Sequence, residues 1–545
     1  MKKIVVIFFA FAVPAFMASA GEIKIKVEKQ YLNIPISHNA GGTQMKISGK
    51  GIDEWPVNVM LADGQIDYWV FRDLSEYKGK TLTISFGGDD RKGLQQIYQD
   101  DRIAGADSLY KEINRPQVHF SSRVGWNNDP NGMVYYDGEY HLFYQHNPYS
   151  RNWDNMHWGH AVSRDLIHWQ ELNYALRPDS LGMIYSGSAV MDFNNTAGYN
   201  KKGEPAMLAY YTSAGAKQTQ SMAYSTDKGR SWTKYDKNPV VDSHDKWNTV
   251  NTRDPKVFWY APNNNWVMAF NERDGHSIYT SADGKEWKYE SHTEGFWECP
   301  ELFELAVDGD PANKKWIMYG ASGTYMIGSF NGRKFTPEQG KFYYQKGNIY
   351  AAQTFNDAPD GRRIQIGWAT IQHPGMRFNS MMSVPTELTL RSTPNGVRLF
   401  SEPVKEFDML KKDTKSYGDL TVEKANEILK AYQSDEPLHI KFTWTMFEAT
   451  SAGFGLNGHN IMHYDMNHNI VNGVHFCSND IETTKLTAEI IVDKTSAEVF
   501  LDHGALSLTI QRRLAEENKS GYYFHGSLTK IDKLEVSPLK SIWND

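Results

Sequence analysis

The sequence predicts an all-β protein: a five-bladed β-propeller that carries the chemistry, a C-terminal β-sandwich behind it and a small β-sandwich-like domain ahead of it. Three observations point there. Short apolar runs separated by Gly, Pro, Asn and Asp recur along the chain, the pattern of strands and tight turns rather than of helices with a 3.6-residue period. A unit near 55 residues repeats through the middle of the chain, in the range of propeller blades. Aromatics are abundant, with 16 Trp, 30 Tyr and 26 Phe in a chain only 40% hydrophobic and of mean hydropathy −0.58, so rings suited to strand packing and to stacking on polar ligands dominate. At 545 residues the chain exceeds what one hydrophobic core organises.

Residues 1–20 read as an export signal: Lys2 and Lys3, an apolar run from Ile4 to Phe16, and Ala18-Ser19-Ala20 before Gly21 match its charged, apolar and small-residue segments. Cleavage near Ala20 predicts a periplasmic or extracellular protein. No later run approaches the ~20 apolar residues of a membrane helix, so no membrane insertion is expected. Residues 21–115 alternate in short runs, Glu22 to Val27, Gln44 to Ser48, Tyr68 to Phe71 and Thr81 to Phe86, broken at Gly41-Gly42 and Gly87-Gly88. That predicts an N-terminal antiparallel sandwich.

Within residues 118–399 four segments share a strand, a polar turn and a closing aromatic. They run from Ala161 to Trp169, Ala223 to Trp232, Tyr279 to Trp287 and Ile327 to Phe335, with closing rings 63, 55 and 48 residues apart. Dividing the region by this period gives five blades, with Trp169, Trp232 and Trp287 expected to wedge between blades rather than to stack on a ligand. After Glu402-Pro403 longer strands, His439 to Phe447, Lys485 to Val492, Ala497 to Leu501 and Leu506 to Ile510, predict a sandwich over 403–540, with Asp502-His503-Gly504 as a hairpin turn. One helix is expected, Val422 to Tyr432. Cys299 and Cys477 fall in different domains, so both are expected as free thiols. The charge balance, 58 basic against 65 acidic residues, excludes a general attraction to nucleic acid or anionic membranes.

Acidic residues distant in sequence converge where a propeller gathers its inner strands. Three sit in Pro-containing turns: Asp129 in Trp126-Asn127-Asn128-Asp129-Pro130, Asp254 in Arg253-Asp254-Pro255, and Glu298 in Trp297-Glu298-Cys299-Pro300. Each alone is ordinary turn chemistry; the set is what points to catalysis. Together with Phe143-Tyr144-Gln145-His146-Asn147-Pro148, Trp158-Gly159-His160-Ala161, Tyr185-Ser186-Gly187 and Gly367-Trp368, these motifs resemble glycoside hydrolase family 32, which holds invertases, inulinases and levanases. The motifs follow the family's order over about residues 118 to 370.

The resemblance implies a cofactor-independent, metal-free retaining hydrolase acting on a fructan or sucrose. Asp129 would be the nucleophile, Glu298 the acid and base, and Asp254 the residue that holds fructose hydroxyls and stabilises the transition state. Asn128, Gln145, Trp153, Tyr185, Ser186, Arg253 and Trp368 would line the sugar pocket. Retention needs one ionised and one protonated carboxyl about 5 to 5.5 Å apart, against about 6.5 to 9.5 Å for inversion. Arg253 is expected to favour the charged form of Asp254, and Trp297 with nearby carboxylates to raise the pKa of Glu298.

Asn127 and Tyr185 depart from the family's usual apolar residue and Phe. An endo-acting levanase is the main alternative, separated from exo action by pocket depth, which loops 194–204 and 242–252 are expected to set. An inverting propeller hydrolase of arabinan or xylan and a non-catalytic sugar-binding propeller are further alternatives. His157 and His160 lie three apart on an expected strand and so on opposite faces, which argues against a metal pair. Asn194-Asn195-Thr196 and Asn518-Lys519-Ser520 are glycosylation sequons that matter only in a glycosylating host.

Overall fold

The computed structural model describes residues 21–87, 92–432, 435–446, 449–476, 485–512, 521–527 and 529–543. The expected signal at 1–20, Gly88, the Cys477 thiol and the Asn518 sequon lie outside the described residues. The chain divides after Ala104 into two units.

In the first unit the alternating runs form two sheets. Gly21–Lys26, Thr81–Phe86, Thr43–Gly49 and Ile52–Asp53 are neighbours in one, with Val57–Val59 also paired to Thr43–Gly49; Tyr31–Ile36 lies between Tyr68–Asp73 and Tyr98–Asp100 in the other. Period-2 alternation sends Tyr68, Val70, Leu82, Ile84 and Phe86 inward, as a half-buried strand requires. The charge of buried Arg72 is met by Glu54 at 2.7 Å and Glu76 at 2.8 Å.

The second unit holds the propeller and the C-terminal sandwich. The structure is a five-bladed propeller: successive antiparallel strands form each of the first four blades, led by the inner strands Gly125–Tyr136, Met183–Asp192, Thr252–Tyr260 and Glu301–Val307. Inner strand Ile349–Thr354 leads the fifth, which continues through Ile364–Ala369, Thr386–Thr393 and Gly396–Pro403. A short strand of the fifth blade region, Phe378–Asn379, pairs in parallel with Gly125 and Trp126 of the first, tying the last blade to the first.

The closing aromatics seal neighbouring blades. Trp169, Trp232 and Trp287 each donate the indole N–H to the carbonyl three residues back, at 2.9, 3.1 and 3.1 Å, so the turn orients the ring. Trp232 of blade two meets Phe143 of blade one edge-on at 5.5 Å, and Trp287 of blade three meets Tyr210 of blade two at 5.7 Å. Phe335 packs with Val267, Ala269 and Ile278 of blade three.

In the sandwich, Leu438–Met446, Lys485–Val492, Ser496–Leu501 and Leu506–Gln511 lie in one seven-stranded sheet facing a five-stranded one. Asp502, His503 and Gly504 all have positive φ (46°, 57° and 83°) and turn the hairpin. The helix runs Val422–Leu429, started by the Thr421 hydroxyl, which accepts from the Lys424 N–H, a common N-cap. Val118, Phe120 and Phe355 share a core with Ile491, Phe500 and Leu539, and propeller residues Gln345–Gly347 add a parallel strand beside Leu506–Gln511. Propeller and sandwich are thus packed as one body.

Candidate active site

Four of the five inner strands are bulged at the residues that form the site. Pairing along the first strand skips between Asn127 and Pro130, along the second between Tyr185 and Gly187, along the third between Arg253 and Lys256, and along the fifth between Tyr350 and Gln353. A bulge frees residues from the ladder and re-aims them; those freed here include Asn128, Asp129, Ser186 and Asp254. At Gly187 a Cβ would lie 2.0 Å from the Tyr210 carbonyl, so only glycine lets the second strand close up behind Ser186. Asp254, Glu298 and Cys299 take the left-handed backbone region, with φ of 68°, 52° and 40°, a strained arrangement typical of functional sites.

Two of the three carboxyls meet at the Cys299 side chain, with the charge of Glu298 close to both. The Cys299 Sγ lies 3.6 Å from Asp129 Oδ2 and 3.6 Å from Asp254 Oδ2, while its backbone N–H donates to Asp254 Oδ2 at 3.0 Å. Burial, then Asp254, Asp129 and Glu298, push the Cys299 thiol far up, so it stays a neutral S–H donor. Ser186 donates to Asp129 Oδ2 at 2.6 Å and Asn128 to Asp129 Oδ1 at 3.1 Å; Trp126 fixes that amide by donating to Asn128 Oδ1 at 2.7 Å. With its amide turned to satisfy both neighbours, Asn131 accepts from Gln145 at 3.0 Å and donates to Ser186 at 3.2 Å.

Glu298 is held by two further groups. Arg253 Nη1 lies 3.3 Å from Glu298 Oε1, and the Tyr350 hydroxyl donates to Glu298 Oε2 at 2.6 Å. The Glu298 N–H donates to Asn271 at 3.0 Å. Arg253 therefore pairs with Glu298, and its guanidinium lies 5.8 Å from the Trp297 ring. This corrects the expectation for Asp254: burial, followed by the charge of Glu298, outweighs Arg253 and raises the Asp254 pKa. Asp129 is also raised, by burial first, against the Ser186 and Asn128 hydrogen bonds. Carboxylates this close cannot all ionise freely, so the cluster keeps a proton where an isolated carboxyl has lost it.

The remaining expected residues frame the pocket. Trp153 is half exposed and meets Tyr185 edge-on at 6.0 Å. Trp368 donates to the Ser380 hydroxyl and meets Trp126 at 5.8 Å and Tyr350 at 6.3 Å. Loop 242–252 leads into Thr252 and Arg253, and Trp247 there donates to Glu272 at 2.6 Å, which places the loop on the site side. Loop 194–204 does not share that place: it follows Asp192, at the far end of the strand whose start holds Tyr185 and Ser186. His157 and His160 have separate partners, the Asn155 carbonyl and His141, and no metal-binding cluster occurs among the described residues. Cys299 is free and buried.

Sequence reasoning missed Tyr350, Asn271, Asn131 and the bridging position of the Cys299 thiol. Nothing flags Tyr350 in the sequence, because its blade carries no copy of the repeat.

A ring of inner strands presenting clustered carboxyls, a guanidinium and half-exposed aromatic rings defines a hydrolase of glycosidic bonds. The family model described as "Glycosyl hydrolases family 32 N-terminal domain" matches residues 119–403, and the chain belongs to glycoside hydrolase family 32. It is 39% identical over 495 residues to a levanase of Bacillus subtilis (strain 168), covering 81% of this chain and 72% of that one. It is 30% identical over 519 residues to an extracellular exo-inulinase of Aspergillus niger, covering 80% and 96%. The crystal structure of exo-inulinase from Aspergillus awamori matches with a TM-score of 0.69 at 27% identity, covering 80% of this chain and all of that one.

Proposed function

We propose that the protein is an exported, retaining β-fructosidase that removes fructose from the ends of β-fructans, levan or inulin, or from sucrose. The observation that carries this reading is the meeting of Asp129 and Asp254 at the Cys299 thiol with Glu298 close by, in a family whose similar members bear the names levanase and exo-inulinase.

In this reading Asp129, held by Ser186 and Asn128, attacks the anomeric carbon of the terminal fructosyl unit. Glu298 gives its proton to the departing glycosidic oxygen and then takes one from the water that releases the sugar. Asp254 accepts hydrogen bonds from fructose hydroxyls and stabilises positive charge on the ring. Arg253 and Tyr350 hold the Glu298 carboxyl in place through both changes of protonation. Trp153, Tyr185, Gln145 and Trp368 supply the walls. Catalysis belongs to residues 118–399; residues 403–540 buttress the propeller, and residues 21–115 are an accessory domain.

The product profile tests the reading. Anion-exchange chromatography of digests of levan, inulin and sucrose is expected to show fructose as the sole early product from the polymers. A ladder of oligosaccharides would replace exo with endo action, and an inert enzyme would overturn the assignment of substrate.

A further inference from the structure

The inner strands that start at the active site end at a second cavity. It has a volume of about 520 Å³ and is lined by Phe193, just past the end of Met183–Asp192, by Trp259 and Tyr260 at the end of Thr252–Tyr260, and by Trp316, Asp357 and Arg363. From Tyr185 to Phe193 the chain advances eight residues, about 25 Å at ~3.3 Å per residue, so the cavity opens on the opposite face of the propeller. Between the two sites the channel is filled. Lys256 pairs with Glu301 at 2.9 Å and donates to the Thr354 carbonyl at 2.8 Å, and Asn356 donates to the carbonyls of Ala189 and Val257 at 2.8 and 3.1 Å. The cavity is separate from the catalytic pocket.

Its lining combines aromatic rings with charged and polar groups. Phe193 is 58% exposed, an uncommon setting for a Phe, and Trp259, Tyr260 and Trp316 add half-covered rings. Among them stand a carboxylate, Asp357, on a left-handed backbone (φ 57°), and the Arg363 guanidinium. Arg363 lies over Phe303 at 4.8 Å and is anchored through Nη1, which donates to the Phe355 carbonyl at 3.3 Å and the Thr354 hydroxyl at 3.4 Å. Rings that cover C–H faces, beside a paired acceptor and donor for hydroxyls, suit a neutral polyhydroxylated ligand. Asp357 and Glu304, which also lines the cavity, oppose a phosphate or other anion.

We propose that this cavity is a second carbohydrate site, which holds a segment of the fructan polymer remote from the bond being cleaved. The inference rests on the proposed substrate class and extends it. A chain long enough to reach both faces is retained between cleavage events; a trisaccharide that fills the active site cannot reach the cavity.

Kinetics of the full-length enzyme on levan, inulin and a fructosyl trisaccharide test it, comparing the parent with Phe193→Ala/Tyr260→Ala and, separately, with Asn194→Trp, which fills the cavity from its rim. Both variants are expected to raise KM for at least one polymer by about 3- to 10-fold, through loss of the second contact, with kcat/KM for the trisaccharide within about twofold of the parent. The trisaccharide rate also reports that each variant is folded. A parent active on fructans whose polymer KM is unchanged in both variants overturns the second site alone. A parent that cleaves no fructan overturns both this site and the proposed substrate.

Discussion

Tyr350 is a side chain that only the folded structure brings to Glu298. Its hydroxyl donates to Glu298 at 2.6 Å, and a hydrogen bond to a charged group contributes roughly 1.5 to 3 kcal/mol. Tyr350→Phe keeps the ring against Trp368 and removes only the donor. We expect kcat to fall about 10- to 100-fold with a smaller change in KM, read from initial rates on sucrose or a fructan. An unchanged kcat would mean that Arg253 alone holds the acid. Asp129→Ala is expected to lower kcat by about 10³-fold or more while leaving the far-ultraviolet spectrum unchanged. Asp129, Asp254 and Glu298 stand out in the sequence because each lies one or two residues before a proline in a short motif that does not depend on the rest of the fold. Their environment does not. Arg253 follows Glu298 rather than its sequence neighbour Asp254, because the bulge between Arg253 and Lys256 and the left-handed Asp254 backbone separate the two side chains.

Among the elements, the blades depend on the closing aromatics. Trp232 packs edge-on against Phe143, and its indole N–H is satisfied by Gly229. Removing such a ring leaves a void between two sheets and costs about 3 to 5 kcal/mol. Trp232→Ala is therefore expected to lower the denaturation midpoint clearly, whereas Trp153→Ala, at a half-exposed ring, should leave it nearly unchanged and act on KM. Equal midpoints for the two variants would contradict the division of aromatics between packing and sugar. Four blades were legible because turn and ring recur at similar spacing. The fifth was found only by dividing length by period, since short segments Phe378–Asn379 and Met381–Met382 interrupt its strands. Bulges were invisible for a similar reason: a skipped pair shows only once the partner strand is known.

For the whole molecule, the joint between propeller and sandwich is charged. Buried His119 bonds Asp493 at 2.7 Å and Glu498 at 3.3 Å, and Asp493 also accepts the backbone N–H groups of Gln117 and Val118. Burial would lower the His119 pKa, but the hydrogen bonds to Asp493 and Glu498 outweigh it and raise the group to about 9. Because the folded value lies above the ordinary ~6.5, this stabilisation is complete below about pH 6.5 and is lost as pH rises through about 9. Thermal midpoints should fall over that interval, and His119→Gln should flatten the fall while lowering the midpoint at pH 6; the same alkaline slope in the variant would place the cause elsewhere. The joint was not legible, since His119 and Asp493 are 374 residues apart and neither belongs to a motif.

If Asp129 attacks and Glu298 first donates and then withdraws a proton, the released sugar keeps its configuration. NMR of the first fructose released from a fructan, recorded before mutarotation, measures this directly. A retaining double displacement gives β-fructofuranose at the earliest times; initial release of the α anomer would exclude it.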